Sequence, residues 1–184
     1  MIRQFGAAAL AGVMSIFSVF AFAEGPGEAH SYEPMAVFAP FAGKTLRGEG
    51  TGPDGQPIVD IAKWEFILNG RAFQSTHRLE NGDYGGRTIF FYDEGAKEYV
   101  FHYFTTAGFH TTGTITPTEN GFTAVETVKG HPKYQEVRSE MIIDGDKIRV
   151  TTAHIDKDGE VHDGDGFVYS QIEDPGALFG DAKQ

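Results

Sequence analysis

From Lys44 onward, polar and apolar residues change places at every second position. In VDIAKWEFI (59–67), Lys63 and Glu65 interleave with Trp64 and Phe66, and in AFQSTHRL (72–79) Gln74, Thr76 and Arg78 interleave with Phe73, Ser75, His77 and Leu79. A period of two is that of a strand with one wet and one buried face. Turn signals punctuate the pattern at short intervals, among them Asn69-Gly70, Asn81-Gly82, Asn120-Gly121 and Asp144-Gly145. The runs between them are rich in Thr, Val, Ile, Phe and Tyr, as in consecutive antiparallel strands joined by hairpins. Ten strands are expected, at about 44–51, 58–68, 72–79, 86–92, 98–105, 109–116, 122–128, 134–143, 147–155 and 166–172. No segment after Ala42 carries an apolar period of 3.6.

Ten meandering strands with short links must protect their edges, and closure into an up-and-down barrel removes them. A β-sandwich is the competing arrangement, but its longer crossover connections have no counterpart here. The fold expected is all-β: a single antiparallel barrel over 44–173 with a C-terminal tail over 174–184. Upstream, MAVFAPFA (35–42) suits one short helical turn whose apolar side chains plug against the barrel, at the end of a Gly/Pro/Glu leader that starts at Glu24. Alternation points Trp64, Phe66, Leu68, Phe73, His77, Val137, Ser139, Met141, Val150, Thr152 and His154 inward.

The run YVFHYFTTAGFHTTG (99–113) needs its turn placed before its faces can be read. Thr106-Ala107-Gly108 suits a three-residue hairpin loop, whose last position takes φ > 0. That register pairs Thr105 with Phe109, Tyr103 with Thr111 and Phe101 with Gly113. It turns Tyr99, Phe101, Tyr103, Phe109 and Ile115 inward, and His102 and His110 outward. Val100, Phe104 and Phe90 would then form an apolar patch on the outer wall, to be covered by the MAVFAPFA segment or by a second copy of the chain in a homodimer.

The N-terminus supplies an address. One cation, Arg3, precedes an uncharged Ala- and Phe-rich stretch, Phe5 to Phe22, which closes on Ala21-Phe22-Ala23. This is the layout of a cleaved secretory signal peptide over 1–23, which places the mature protein in the periplasm or outside the cell and implies no stable membrane insertion after cleavage. Cysteine is absent, so neither a disulfide nor a lipidated thiol is available, and stability must come from an ordinary core. The formal net charge is −11, and removal of Arg3 with the signal peptide makes it −12. Such a surface repels phosphate backbones and excludes nucleic acid as a partner.

Seven histidines raise the question of a metal, but no HExxH motif, close histidine pair on one strand face or cysteine supports one. The acidic stretch HIDKDGEVHDGDG (154–166) departs from a calcium loop in its glycine and glutamate positions and is read as a hairpin turn with an acidic approach to the last strand. No Gly-x-Ser-x-Gly elbow, phosphate loop or dinucleotide fingerprint is present. There remains an aromatic interior with a few polar groups, the composition of a small-molecule pocket. The alternative is a filled barrel whose buried tyrosines and histidines satisfy one another, but ten strands leave a cavity where eight are filled by side chains. The candidate ligand-binding residues are Trp64, Phe73, His77, Phe101, Tyr103, Phe109, Met141 and His154.

Four stretches, PFAGKTLRGEG (40–50), VDIAKWEFILNGRAFQSTH (59–77), NGDYGGRTIFFYD (81–93) and YFTTAGFHTTGT (103–114), together resemble an uncharacterised family of bacterial lipocalin-like proteins, often exported. The resemblance implies a calycin-type barrel, related in fold to fatty-acid-binding and nitrobindin-type haem-binding barrels, and marks Trp64, His77, Tyr84, Tyr103 and Thr105 without giving them roles. Many of those relatives carry Trp where Leu46 stands here. The expected function is that of an exported binding protein for a small, largely apolar molecule. Three alternatives stand beside it: a barrel enzyme with His77 as general base, which needs a second titratable group next to that histidine; an envelope interaction protein with a filled core; and a haem-binding barrel ligated through His154, haem being the single cofactor the resemblance admits and none being expected otherwise.

Overall fold

The computed structural model describes residues 32–52 and 55–180. The signal peptide expected over 1–23, the leader up to residue 31 and the last four residues of the tail lie outside them. Strands form at Lys44–Thr51 (β1), Pro57–Ile67 (β2), Ala72–Leu79 (β3), Gly85–Asp93 (β4), Glu98–Thr105 (β5), His110–Pro117 (β6), Gly121–Lys129 (β7), Tyr134–Asp144 (β8), Lys147–Asp156 (β9) and Val161–Ile172 (β10). Each pairs antiparallel with its sequence neighbours, and β1 pairs with β10 to close the barrel. Closure leaves no row of unpaired backbone groups at a sheet edge, which is why ten short strands form one stable wall.

The β5–β6 hairpin takes the register expected from its turn: Thr105 N–H donates to the Phe109 carbonyl, Gly108 has φ 83°, and Tyr103 faces Thr111. Three expectations are corrected. β10 begins at Val161, five residues before the expected start, because the acidic stretch is itself strand, with a register shift between Asp163 and Gly166 absorbing its irregularity. Leu68 does not face inward; with φ 52° it opens the left-handed Leu68-Asn69-Gly70 turn and is 71% exposed. Phe90 belongs to the interior, packed against Phe38 and Phe101, whereas its neighbour Phe91 stacks on His102 on the outer wall.

The MAVFAPFA segment forms most of a 3-10 helix, Glu33–Phe41, with Pro34 in its first turn. Three residues per turn bring Met35, Phe38 and Phe41 onto one face, and all three are buried. Phe38 lies between Phe73 and Phe122, with centroids at 5.0 and 5.3 Å and planes inclined by 14° to each, and meets Tyr99 edge-on. Phe41 packs on Trp64 at 5.0 Å. Tyr99 fixes the entry of the helix by donating its hydroxyl to the Pro34 carbonyl at 2.7 Å. The helix therefore plugs one end of the barrel rather than covering its outer wall, where Phe104 stays 53% exposed.

Candidate functional site

The inward rows of the strands change character along the barrel axis. Starting from the plugged end, β2 presents Trp64, Ala62 and Asp60; β3 presents Phe73, Ser75 and His77; β7 presents Phe122, Ala124 and Glu126; β9 presents Val150, Thr152 and His154. Large rings sit next to the plug, small residues in the middle and titratable groups beyond. The small middle positions leave space: a cavity of about 330 Å³ is lined by Ala62, Ser75, Thr88, Ala124, Ser139 and Thr152 together with the aromatic floor. Volumes of about 300–1,000 Å³ are typical of small-molecule pockets, so this one suits a compact occupant.

One arc of the wall is polar. His77 Nδ1 lies 2.9 Å from Asp60 Oδ1, and His77 Nε2 lies 2.7 Å from the Tyr103 hydroxyl. The buried Asp60 carboxylate accepts only, so in the neutral imidazole the proton sits on Nδ1 and Nε2 accepts from Tyr103. With its own proton spent on His77, the Tyr103 hydroxyl accepts from Tyr84 at 2.6 Å. Tyr169 donates to the second Asp60 oxygen at 2.9 Å. Two side chains, His77 and Tyr169, thus satisfy one oxygen each of a carboxylate that is 2% exposed, as a buried charge requires.

Glycines make this arc possible. A Cβ on Gly86 would stand 2.4 Å from the Tyr103 ring, and one on Gly48 would stand 2.4 Å from the Tyr169 ring, so both tyrosines lie flat against backbone that only glycine leaves bare. Burial, then the adjacent Tyr84 and the negative Asp60 and Glu126, drive the Tyr103 phenol far above its ordinary range. Burial also raises Tyr169, with Asp60 adding to it. Glu126 is raised by burial too, and its hydrogen bond from Thr111 Oγ1 offsets part of this. Tyr103 is therefore a hydrogen-bond partner at every ordinary pH and a poor nucleophile.

Beyond the polar arc lies a second space of about 260 Å³, walled by Tyr84, Phe109, His131, Tyr134, Val137 and His154 and sharing Tyr103, Glu126 and Thr152 with the first. The eight candidate residues therefore divide. Trp64, Phe73, His77, Phe101, Tyr103 and Met141 line the main cavity, whereas Phe109 and His154 line the second. His154 packs against the Tyr134 ring at 4.9 Å. His131 Nδ1 accepts from the backbone N–H groups of Lys133 and Tyr134, and so serves the turn.

Asp60, Glu126 and Tyr169 join the site although neither the motifs nor the resemblance marks them, and Tyr84, which the resemblance marks without a role, acquires one here. For Asp60 a signal existed: the alternation that turns Trp64 inward, carried back by four residues, turns Asp60 inward as well. The same argument reaches Glu126 from Phe122 and Tyr169 from Phe167. No local signal pairs Asp60 with His77, 17 residues away on the next strand.

Asp156, Glu160 and His162 hold their ligand atoms within 4.8 Å of one another. The grouping has a structural reason in the β9–β10 turn: Asp156 Oδ1 accepts from the backbone of Asp158 and Glu160, and Oδ2 meets His162 Nε2 at 2.8 Å. The His162 contact holds the Asp156 carboxyl below its ordinary range.

No family model and no curated protein sequence matches the chain. Among solved structures, Rv2717c from M. tuberculosis superimposes with a TM-score of 0.59 at 12% identity, over 78% of this chain and 99% of that one. The likeness is one of fold. At that identity it says nothing about which side chains do what.

Proposed function

We propose that this chain is an exported, lipocalin-like binding protein that holds a compact, largely apolar molecule inside its barrel. The observation that carries the reading is the 330 Å³ cavity with an aromatic floor at one end and the Asp60–His77–Tyr103–Tyr169 arc to one side. Apolar walls supply affinity through burial, and a few fixed polar groups set orientation. The signal-peptide layout of residues 1–23 supports a periplasmic or secreted location.

The test is native mass spectrometry of protein purified from its own host, with extraction of whatever is bound, together with titration by apolar probes. Trp64, the single tryptophan of the chain, lines the cavity and reports occupancy by its emission. Ala124→Phe fills the middle layer and should abolish the response while leaving the barrel folded. Protein that is empty from its host and whose Trp64 emission ignores every apolar probe would sink the reading.

One observation favours a second reading, a barrel enzyme: the carboxylate that a His77 general base requires is present in Asp60. Tyr103 occupies Nε2, so a substrate would have to displace it or act through it. A hydrolytic activity in the purified protein that disappears in His77→Gln, with ligand binding retained, would bring this reading forward.

For haem, the histidine that the fold resemblance points to stands in the smaller space, below the usual range of pocket volumes and closed on one side by the Tyr134 ring. The residues present do not fit a macrocycle there. Haemin added to the purified protein is expected to give no Soret band that depends on His154.

A further inference from the structure

We infer that the polar end of the ligand is a hydrogen-bond donor, best an amine, and not a carboxylate. This rests on the reading that the cavity holds a ligand, and it names the class.

The first argument is charge. Asp60 and Glu126 both line the main cavity, and no lysine or arginine among the described residues lines either space. In the main cavity His77 is the one described group that can carry positive charge, and it already faces Asp60, whereas His131 and His154 line the second space. A carboxylate entering the main cavity would be a buried anion whose one described cationic partner is already taken by Asp60, which is among the costliest states in a protein. An ammonium would meet two carboxyl groups instead. Both act on the Tyr103 hydroxyl, which places the three in one electrostatic neighbourhood.

The second argument is hydrogen-bond capacity. Tyr103 spends its proton on His77 and accepts from Tyr84, and Tyr169 spends its proton on Asp60, so neither hydroxyl has a proton left for an incoming group, and Tyr169 can only accept. Thr111 bonds one oxygen of Glu126, and the carboxyl has a second. The unused capacity of the arc therefore accepts. Ser75 and Ser139 can serve as donor or acceptor and do not discriminate.

The wall fits this orientation: Trp64, Phe73, Phe90, Phe101 and Phe122 line the plugged end of the same space and would receive the apolar body, which leaves the head group to the polar arc. Charge and hydrogen-bond capacity thus select the same head group.

The experiment compares three probes with one apolar body: phenylpropylamine, phenylpropanol and phenylpropanoate, titrated at pH 7 into protein purified from cells expressing the full chain, with Trp64 emission as readout. The amine is expected to bind about tenfold or more tighter than the alcohol, and the carboxylate about tenfold or more weaker than it. In Glu126→Gln, which keeps the Thr111 partner, the preference for amine over alcohol should shrink several-fold. Alcohol binding with a carboxylate of equal or greater affinity, or an amine no tighter than the alcohol, would overturn the inference and leave the binding reading intact. An emission that ignores all three probes would overturn the binding reading itself. The wild-type comparison decides without any variant, so a Glu126→Gln protein that failed to fold would not shelter the idea.

Discussion

Tyr103→Phe removes one oxygen from the centre of the polar arc and changes no shape, which makes it the cleanest probe of the network. The hydroxyl makes two hydrogen bonds, to His77 Nε2 at 2.7 Å and from Tyr84 at 2.6 Å. At about 0.5–1.5 kcal/mol net for each, the loss should be about 1–3 kcal/mol. The low end of that range applies if water from the cavity replaces the missing oxygen, and the high end if the imidazole acceptor is stranded. Urea unfolding at pH 7 reads the loss directly, with an unchanged slope m. In melting temperature it corresponds to about 2–4 °C per kcal/mol for a chain of this size. A cycle with Tyr84→Phe should return a coupling of about 0.5–1.5 kcal/mol, because the two hydroxyls share one bond.

The same variant has a second signature at high pH. The folded state holds the Tyr103 proton far above the pH at which a free phenol ionises, near 10. Above pH 10 the unfolded chain therefore loses this proton while the folded chain keeps it. The contribution of this group is fully present below pH 10 and then declines by about 1.4 kcal/mol per pH unit. Phenylalanine has no proton to lose, so the alkaline limb of the variant should be shallower by that amount. Tyr84, Tyr99 and Tyr169, which burial also raises, keep their own slopes. Stability within about 0.3 kcal/mol of wild type at pH 7, together with an identical alkaline limb, would refute the network as described.

Glu126→Gln should be more stable than wild type at pH 7, with the gap closing towards pH 4: burial raises the folded carboxyl above its unfolded value, so wild-type stability falls as pH rises from the unfolded value to the folded one, and glutamine escapes that loss; paired denaturant curves at the two pH values check it. Phe38→Ala takes out the ring on which Phe73, Phe90, Tyr99 and Phe122 converge and should cost about 3–5 kcal/mol in urea unfolding. Gly48→Ala would force the Tyr169 ring away from Asp60, at about 1–3 kcal/mol, and a thermal melt indistinguishable from wild type would contradict the close approach described.

Much of this barrel is written locally. Period-two alternation places Trp64, Phe73, His77, Phe101, Tyr103 and Met141 on the inner wall, because a strand side chain can point only to one face or the other. Gly108 fixes the register of the β5–β6 hairpin through the φ that its turn requires, and the three-residue spacing of Met35, Phe38 and Phe41 suits a short helix with one buried face. Where two signals competed, the sequence misled: Leu68 continues an inward row, but Asn69-Gly70 pulls it into the turn. The hydrophobicity of Phe90 and Phe91 could not tell which of the two faced the core. Pairing to β5 sets the choice, with Phe90 opposite Phe101 and Phe91 opposite Val100.

The chemistry of the interior was decided elsewhere. Asp60 meets His77 across 17 residues, His77 meets Tyr103 across 26, and Tyr169 reaches Asp60 across 109, from the far side of the seam that closes the barrel. Alternation says that each of these side chains faces in, but not at what height or beside which other. That depends on the stagger of ten strands and on closure of β1 against β10, which no local window contains. The sequence thus determined the wall and its two faces, through geometry that acts between neighbouring residues. Only the tertiary structure decided that the inward acids, the histidine and the tyrosines share one level of the barrel, since a hydrogen bond between distant strands exists only once the sheet has closed.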